Sequence, residues 1–128
     1  MKNWHLYLGL VIVVVILLVL MRGNGASNGG GPEKITRFDD FAQCVADAGA
    51  IFYGAFWCPH CLDQKEMFED SSKIPYVECS TVSRQQTQEC TDAGITGYPT
   101  WVFTDGSREN GAIPLGTIAD KTGCQLPE

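Results

Sequence analysis

Basic residues are scarce in this chain. Across residues 32–128, seven Lys and Arg face fifteen Asp and Glu, a net charge of about −8. A surface of that sign repels phosphate backbones, which excludes nucleic acid as a partner. Histidine is scarcer still, with only His5 and His60. His5 falls in the first turn of an apolar stretch and reads as interfacial. Nothing nearby supplies the further ligands that a closed tetrahedral zinc site needs. No internal repeat is present. No cysteine precedes Cys44, and from Asn3 to Met21 there is no charged side chain at all.

That uncharged stretch is the first positive feature. Leu10 to Met21 is continuously apolar. As a helix, Asn3 to Met21 rises about 28 Å, close to the hydrocarbon thickness of a bilayer. Trp4 and Tyr7 lie at one end, where amphipathic rings prefer the interface. Lys2 and the amino terminus stand on one side against Arg22 on the other, a bias toward a cytoplasmic N-terminus. The competing reading is a cleaved signal peptide. That reading calls for a shorter core and small residues before the cut, and Met21-Arg22-Gly23-Asn24-Gly25-Ala26 offers no A-x-A pattern. Residues 1–22 are therefore expected to form a transmembrane signal anchor, with the rest of the chain exported. Residues 23–32, rich in Gly with Asn and Ser, form a tether of roughly 15–18 Å reach. Residues 33–128 suffice for one small domain, whose core benefits from cross-links.

All six cysteines lie in that domain. In an oxidising compartment an even number suggests one redox pair plus structural disulfides. The redox pair is read from Trp57-Cys58-Pro59-His60-Cys61, which follows the apolar run Ala50 to Phe56 and opens a helical pattern. Two cysteines so spaced close a disulfide across one turn, and the first sits where backbone N–H groups favour a thiolate. Pro59 suits the first helical position. A protonated His60 would place a cation near Cys58 and favour its thiolate further. The alternative for such a spacing is half a zinc site or a structural disulfide, but the strand-then-helix setting is the one redox chemistry requires.

The remaining elements read in order. Phe38, Phe41, Val45 and Ala48 fall at helical spacing, with Gly49 as the stop. Ala50 to Phe56 reads as a buried strand, and Pro59 to about Asp70 as the redox helix. Pro75 to Cys79 reads as a short strand, and Arg84 to Ala93 as a polar helix ended by Gly94. Thr100 to Thr104 and Arg108 to Ile113 flank Asp105-Gly106 as a hairpin. Leu115 to Lys121 forms a final helix.

With Trp57-Cys58-Pro59-His60-Cys61 and Gly97-Tyr98-Pro99-Thr100 about forty residues later, residues 35–124 resemble the thioredoxin superfamily. The resemblance implies an α/β thioredoxin-like fold, a central mixed sheet flanked by helices. It implies a cis-proline at Pro99 facing the cysteine pair, with Tyr98 pairing to a substrate strand; Trp57 itself reads as a shield and apolar docking surface for substrate, or as core packing. The stretch Tyr53 to Cys61, followed by Gln64-Lys65-Glu66, with Tyr76-Val77-Glu78-Cys79 and Tyr98-Pro99-Thr100-Trp101, is similar to the thioredoxin-like domain associated with bacterial vitamin K epoxide reductase homologues. That likeness implies a separate quinone-linked membrane protein as electron partner and no cofactor beyond the cysteines themselves. In one respect the chain departs from ordinary thioredoxins. Phe52 stands where they carry a buried acid, and Glu78 is the available substitute. The Pro-His dipeptide is similar to that of strongly oxidising periplasmic proteins.

The expected function is thus a thiol-disulfide oxidoreductase on the periplasmic side of the inner membrane, oxidising exported protein thiols. A reductase or isomerase using the same residues, or a copper-binding domain built on Cys58 and Cys61, are the alternatives. Cys79 and Cys90, eleven residues apart, are the favoured structural pair, leaving Cys44 and Cys124 to join the first helix to the chain end. The similar domains lend support to Cys79–Cys90, but by sequence three connectivities stay open.

Overall fold

The computed structural model describes residues 4–21 and 34–128. The expected tether at 23–32 lies outside the described residues. The chain divides into two units, Met1–Pro32 and Glu33–Glu128.

In the first unit, α1 (Trp4–Met21) is one uninterrupted helix of 18 residues. Its described side chains, Trp4 and Tyr7 to Leu18, are exposed. Among the described residues, no helix is long and apolar enough to cross a membrane.

The second unit is a mixed α/β domain. Helix α2 (Asp39–Asp47) buries Phe41, Ala42 and Val45, with Asp39 and Asp40 in the first turn where acids complement the macrodipole. It stops at Gly49, whose φ of 80° and a Thr104 methyl 2.6 Å from where a Cβ would sit both demand glycine. Strand β1 (Ile51–Gly54), α3 (Pro59–Met67), β2 (Tyr76–Glu78), α4 (Gln88–Asp92), β3 (Thr100–Val102), β4 (Arg108–Asn110) and α5 (Leu115–Thr122) follow. The four strands form one sheet in the order β2-β1-β3-β4. β1 runs parallel to β2 and antiparallel to β3, and β3 pairs antiparallel with β4. A four-stranded mixed sheet flanked by helices in this order fits a thioredoxin-like fold.

Several elements are shorter than sequence patterning predicts, each for a local reason. β1 ends at Gly54, because Ala55 accepts the Cys58 N–H and turns the chain into α3. α3 ends at Met67, because Glu69 and Asp70 both take left-handed backbone angles. The first hairpin strand stops at Val102, because Phe103 N–H already closes the turn onto Ser107, and the second stops at Asn110, because Gly111 takes a φ of 85°. The polar helix predicted from Arg84 begins only at Gln88. Arg84 has φ 61°, and Ser80 and Gln86 bridge in antiparallel fashion, so this stretch is a hairpin rather than a helix start.

The core is an aromatic stack under the sheet. Phe52 lies 4.9 Å from Trp101 and nearly parallel to it, Trp101 lies 6.1 Å from Phe103, and Phe68 stacks 5.5 Å from Phe41. Such pairs contribute about 0.5–1.5 kcal/mol each beyond their burial. Gln64 is the buried polar exception. Its Oε1 accepts from Trp101 Nε1 at 3.2 Å and from Ile113 N–H at 2.8 Å, and its Nε2 donates to Ile113 O at 3.2 Å. One satisfied amide thereby ties α3 to β3 and to the segment before α5. The placement of the helix that carries the cysteines depends on it.

Candidate active site

Cys58 caps α3. It has extended backbone angles, and its carbonyl accepts from Cys61 N–H and Leu62 N–H, both at 3.1 Å. Pro59 follows at the first helical position, where its missing N–H costs nothing. Cys58 is 6% exposed and Cys61 wholly buried. The Cys58 thiol donates to Tyr98 O at 3.6 Å, and the Tyr98-Pro99 peptide bond is cis. The turn around Pro99 is held by Thr100 Oγ1 donating to Gly97 O at 2.8 Å and by Gly111 N–H donating to Pro99 O at 2.9 Å.

The structure brings Trp57, Cys58, Pro59, Cys61, Tyr98 and Pro99 to one place. The Trp57 ring meets Tyr98 edge-on, with centroids 6.0 Å apart. His60 is directed elsewhere: its Nδ1 lies 3.5 Å from Asp63 Oδ2, and both side chains are largely exposed. Of the six cysteines, only Cys58 and Cys61 are unbridged. Cys44 is bonded to Cys124 and Cys79 to Cys90. Among the described residues, no group of three or more His, Cys, Asp or Glu is placed to hold a metal ion.

The chain is similar to a thiol-disulfide oxidoreductase. It is 43% identical over 93 residues to the thiol-disulfide oxidoreductase LTO1 of Arabidopsis thaliana. The match covers 68% of this chain and 24% of that protein, so the chain spans about a quarter of the length of the curated relative it matches. No family model matches the chain.

The surroundings act on the second cysteine of the pair. Burial, with the neighbouring Cys58 thiol, pushes Cys61 from its usual 9.0 up to about 12. At neutral pH Cys61 is therefore held as a thiol. The groups facing it are the Ala55 backbone, Cys58 at the N-cap of α3, Lys65 on α3, Tyr76 on β2, and Tyr98 in the cis-proline turn. Gly54 makes this crowding feasible, since a Cβ there would lie 2.7 Å from the Tyr76 ring and 3.0 Å from Cys61 Sγ.

Glu78 does not touch Cys61 but reaches it through Tyr76. Tyr76 OH donates to Glu78 Oε2 at 2.7 Å, while Glu78 Oε1 accepts from Ser80 N–H at 2.9 Å and from Phe56 N–H at 3.3 Å. Burial and this hydrogen bond to the carboxylate raise the Tyr76 phenol, so it stays protonated as a donor. Lys65 Nζ lies 3.4 Å above the Tyr76 ring centroid, a cation–π contact. Phe52 fills the strand position next to this cluster as part of the aromatic stack.

Motif reading missed the wall beside Cys58. Trp57 Nε1 donates to Ser80 Oγ at 2.7 Å, and Tyr98 OH donates to Gln86 Oε1 at 2.8 Å. Both partners lie between the half-cystines Cys79 and Cys90. The available signal was that closely spaced cysteine pair, which marks a clamped segment. Tyr76, Lys65 and Gln64 carried no signal of their own. Gly54, a glycine inside a strand, did.

Proposed function

We propose that this chain is a membrane-anchored thiol-disulfide oxidoreductase that forms disulfides in exported proteins. The observation that carries the reading is the pair Cys58 and Cys61, unbridged at the N-terminus of α3 and opposed by the Tyr98 carbonyl before cis-Pro99. The sequence likeness to the LTO1 oxidoreductase supports the same class.

In the oxidising direction, a substrate thiolate attacks Cys58 Sγ of the Cys58–Cys61 disulfide. The S–S bond breaks, Cys61 leaves with the electron pair and takes up a proton, and a mixed disulfide joins Cys58 to the substrate. A second substrate thiolate then attacks the substrate sulfur, and Cys58 departs. The substrate loses two electrons and the protein becomes a dithiol. A thiol held protonated at Cys61 attacks mixed disulfides slowly, which leaves time for the substrate's own second thiol to act. Phe52 in place of a buried acid and the Pro59-His60 dipeptide support oxidation over reduction.

Reoxidation is assigned to a quinone-linked membrane protein of the vitamin K epoxide reductase type. The uncharged run from Asn3 to Met21 anchors the chain in the inner membrane, with the domain on the periplasmic side. The reduction potential of the Cys58–Cys61 pair, by equilibration with glutathione and mass spectrometry, tests the direction. A value near about −120 mV supports an oxidase, and one near about −270 mV overturns that direction in favour of reduction.

A further inference from the structure

The segment between Cys79 and Cys90 holds an unusual residue beside the redox pair. Thr81 N–H donates to Gln85 O at 2.9 Å, and Arg84 N–H donates to Thr81 O at 2.9 Å. With the Ser80–Gln86 bridge these make a hairpin whose tip is Val82-Ser83-Arg84. In three-residue hairpin connections of this kind the last residue is left-handed, a position that favours glycine. Here it is Arg84, at φ 61°. A side chain kept where backbone sterics disfavour it invites a search for what that side chain does.

Arg84 carries its charge to the mouth of the site. Its guanidinium carbon lies 5.7 Å from the centroid of Trp57, the residue next to Cys58. Arg84 is exposed and has no carboxylate partner among the described residues. Other cations of the domain are engaged: Arg37 with Glu69, Lys65 over Tyr76, Arg108 with the Ala93 and Gly94 carbonyls, and Lys121 with Glu109. The nearby acids are engaged as well, Glu78 by Tyr76, Phe56 and Ser80, and Asp63 by His60. Phe56, Trp57 and Leu62, close to Cys58 in the chain, and Val82 at the hairpin tip are exposed apolar side chains. The surface beside the redox pair thus combines exposed apolar side chains with a cation that has no carboxylate partner among the described residues, in an otherwise acidic domain.

We infer that Arg84 is a specificity-determining residue that selects substrate segments carrying an Asp or Glu beside the reacting cysteine. The inference rests on the oxidoreductase reading and narrows its substrate class. Exposed charges farther apart than about 8 Å are largely screened at physiological salt, so the gain goes to a carboxylate docked close to Arg84. The thiol exchange itself is unchanged, and Arg84 acts on encounter and docking.

The test uses the full chain, with Cys58–Cys61 oxidised, in uncharged detergent. Three dithiol peptides identical except for Glu, Gln or Lys beside the first cysteine are oxidised, and their second-order rates compared. The Glu peptide should react about two- to fivefold faster than the Gln peptide, the range expected of an exposed ion pair. The preference should shrink at about 0.5 M salt. Arg84→Gln should bring the ratio close to one, and Arg84→Glu should invert the order. Arg84→Gly, which also relaxes the backbone, should match Arg84→Gln. A ranking that survives in Arg84→Gln overturns the inference. So does equal slowing of all three peptides, which would make Arg84 only a support for Trp57. Uncharged dithiothreitol separates the two levels. If the wild-type pair exchanges with it while the peptides show no ranking, the selectivity fails and the oxidoreductase reading stands. If the pair exchanges with nothing, both fail.

Discussion

Removing the two disulfides one at a time should give variants of nearly equal stability and very different activity. In the chain-entropy estimate, the 80-residue separation of Cys44 and Cys124 corresponds to about 4.5 kcal/mol, and the 11-residue separation of Cys79 and Cys90 to about 2.8 kcal/mol. Cys79 and Cys90 are also wholly buried, so truncating both to Ala forfeits about 1 kcal/mol more of apolar burial. Both double Ala variants should therefore lose about 4 to 5 kcal/mol, read as a shift of the urea midpoint followed by near-ultraviolet circular dichroism. Their chemistry should diverge. The Cys44–Cys124 bond ties α2 to the chain end. The Cys79–Cys90 bond clamps the hairpin whose Ser80 and Gln86 hold Trp57 and Tyr98. Loosening two hydrogen bonds of about 1 kcal/mol each should slow peptide oxidation about ten- to thirtyfold in Cys79→Ala/Cys90→Ala. Under conditions where both variants remain folded, Cys44→Ala/Cys124→Ala should stay within about twofold of wild type. Equal activity losses in the two variants would refute this assignment of roles. So would a Cys44–Cys124 removal that costs less than about 1.5 kcal/mol.

Two further outcomes follow from the buried polar groups. Cys61 has a folded pKa of about 12 against a usual 9.0, so the folded reduced state holds a proton that the unfolded chain releases earlier. That contribution is fully present below pH 9.0 and is lost as pH rises toward about 12. Urea unfolding at about pH 8 and about pH 11 should show reduced protein losing more stability than the oxidised form, and parallel losses would count against a buried, protonated Cys61. Gln64→Leu should strand Trp101 Nε1 and both backbone groups of Ile113, costing about 3 to 5 kcal/mol in the same unfolding assay. A loss below about 1 kcal/mol would mean that α3 is not held through this amide.

How legible each feature was depended on how local its cause is. The α2 pattern, the strand before the cysteines, the helix opening at Pro59 and the Asp105-Gly106 turn all arise from residues within one or two turns of each other. The errors came where a distant partner intervened. Arg84 to Gln86 carry helix-compatible side chains, yet pairing with Ser80 and Thr81 makes them a hairpin. Glu69 and Asp70 continue a helical pattern that the left-handed turn into β2 interrupts.

By itself, the sequence determined the spacing of Cys58 and Cys61, the helix that opens on them, the uncharged N-terminal run and the acidic surface. Each follows from spacing, composition or steric rules that act between near neighbours. Tertiary structure decided which cysteines bond, since the choice among three pairings depends on where α2, β2, α4 and the chain end meet. It also decided that Glu78 reaches Cys61 only through Tyr76 and that Arg84 stands over Trp57. Contacts across 11 to 80 residues of chain have no signature in any short window, because they are set by how the sheet is ordered and how the helices close over it.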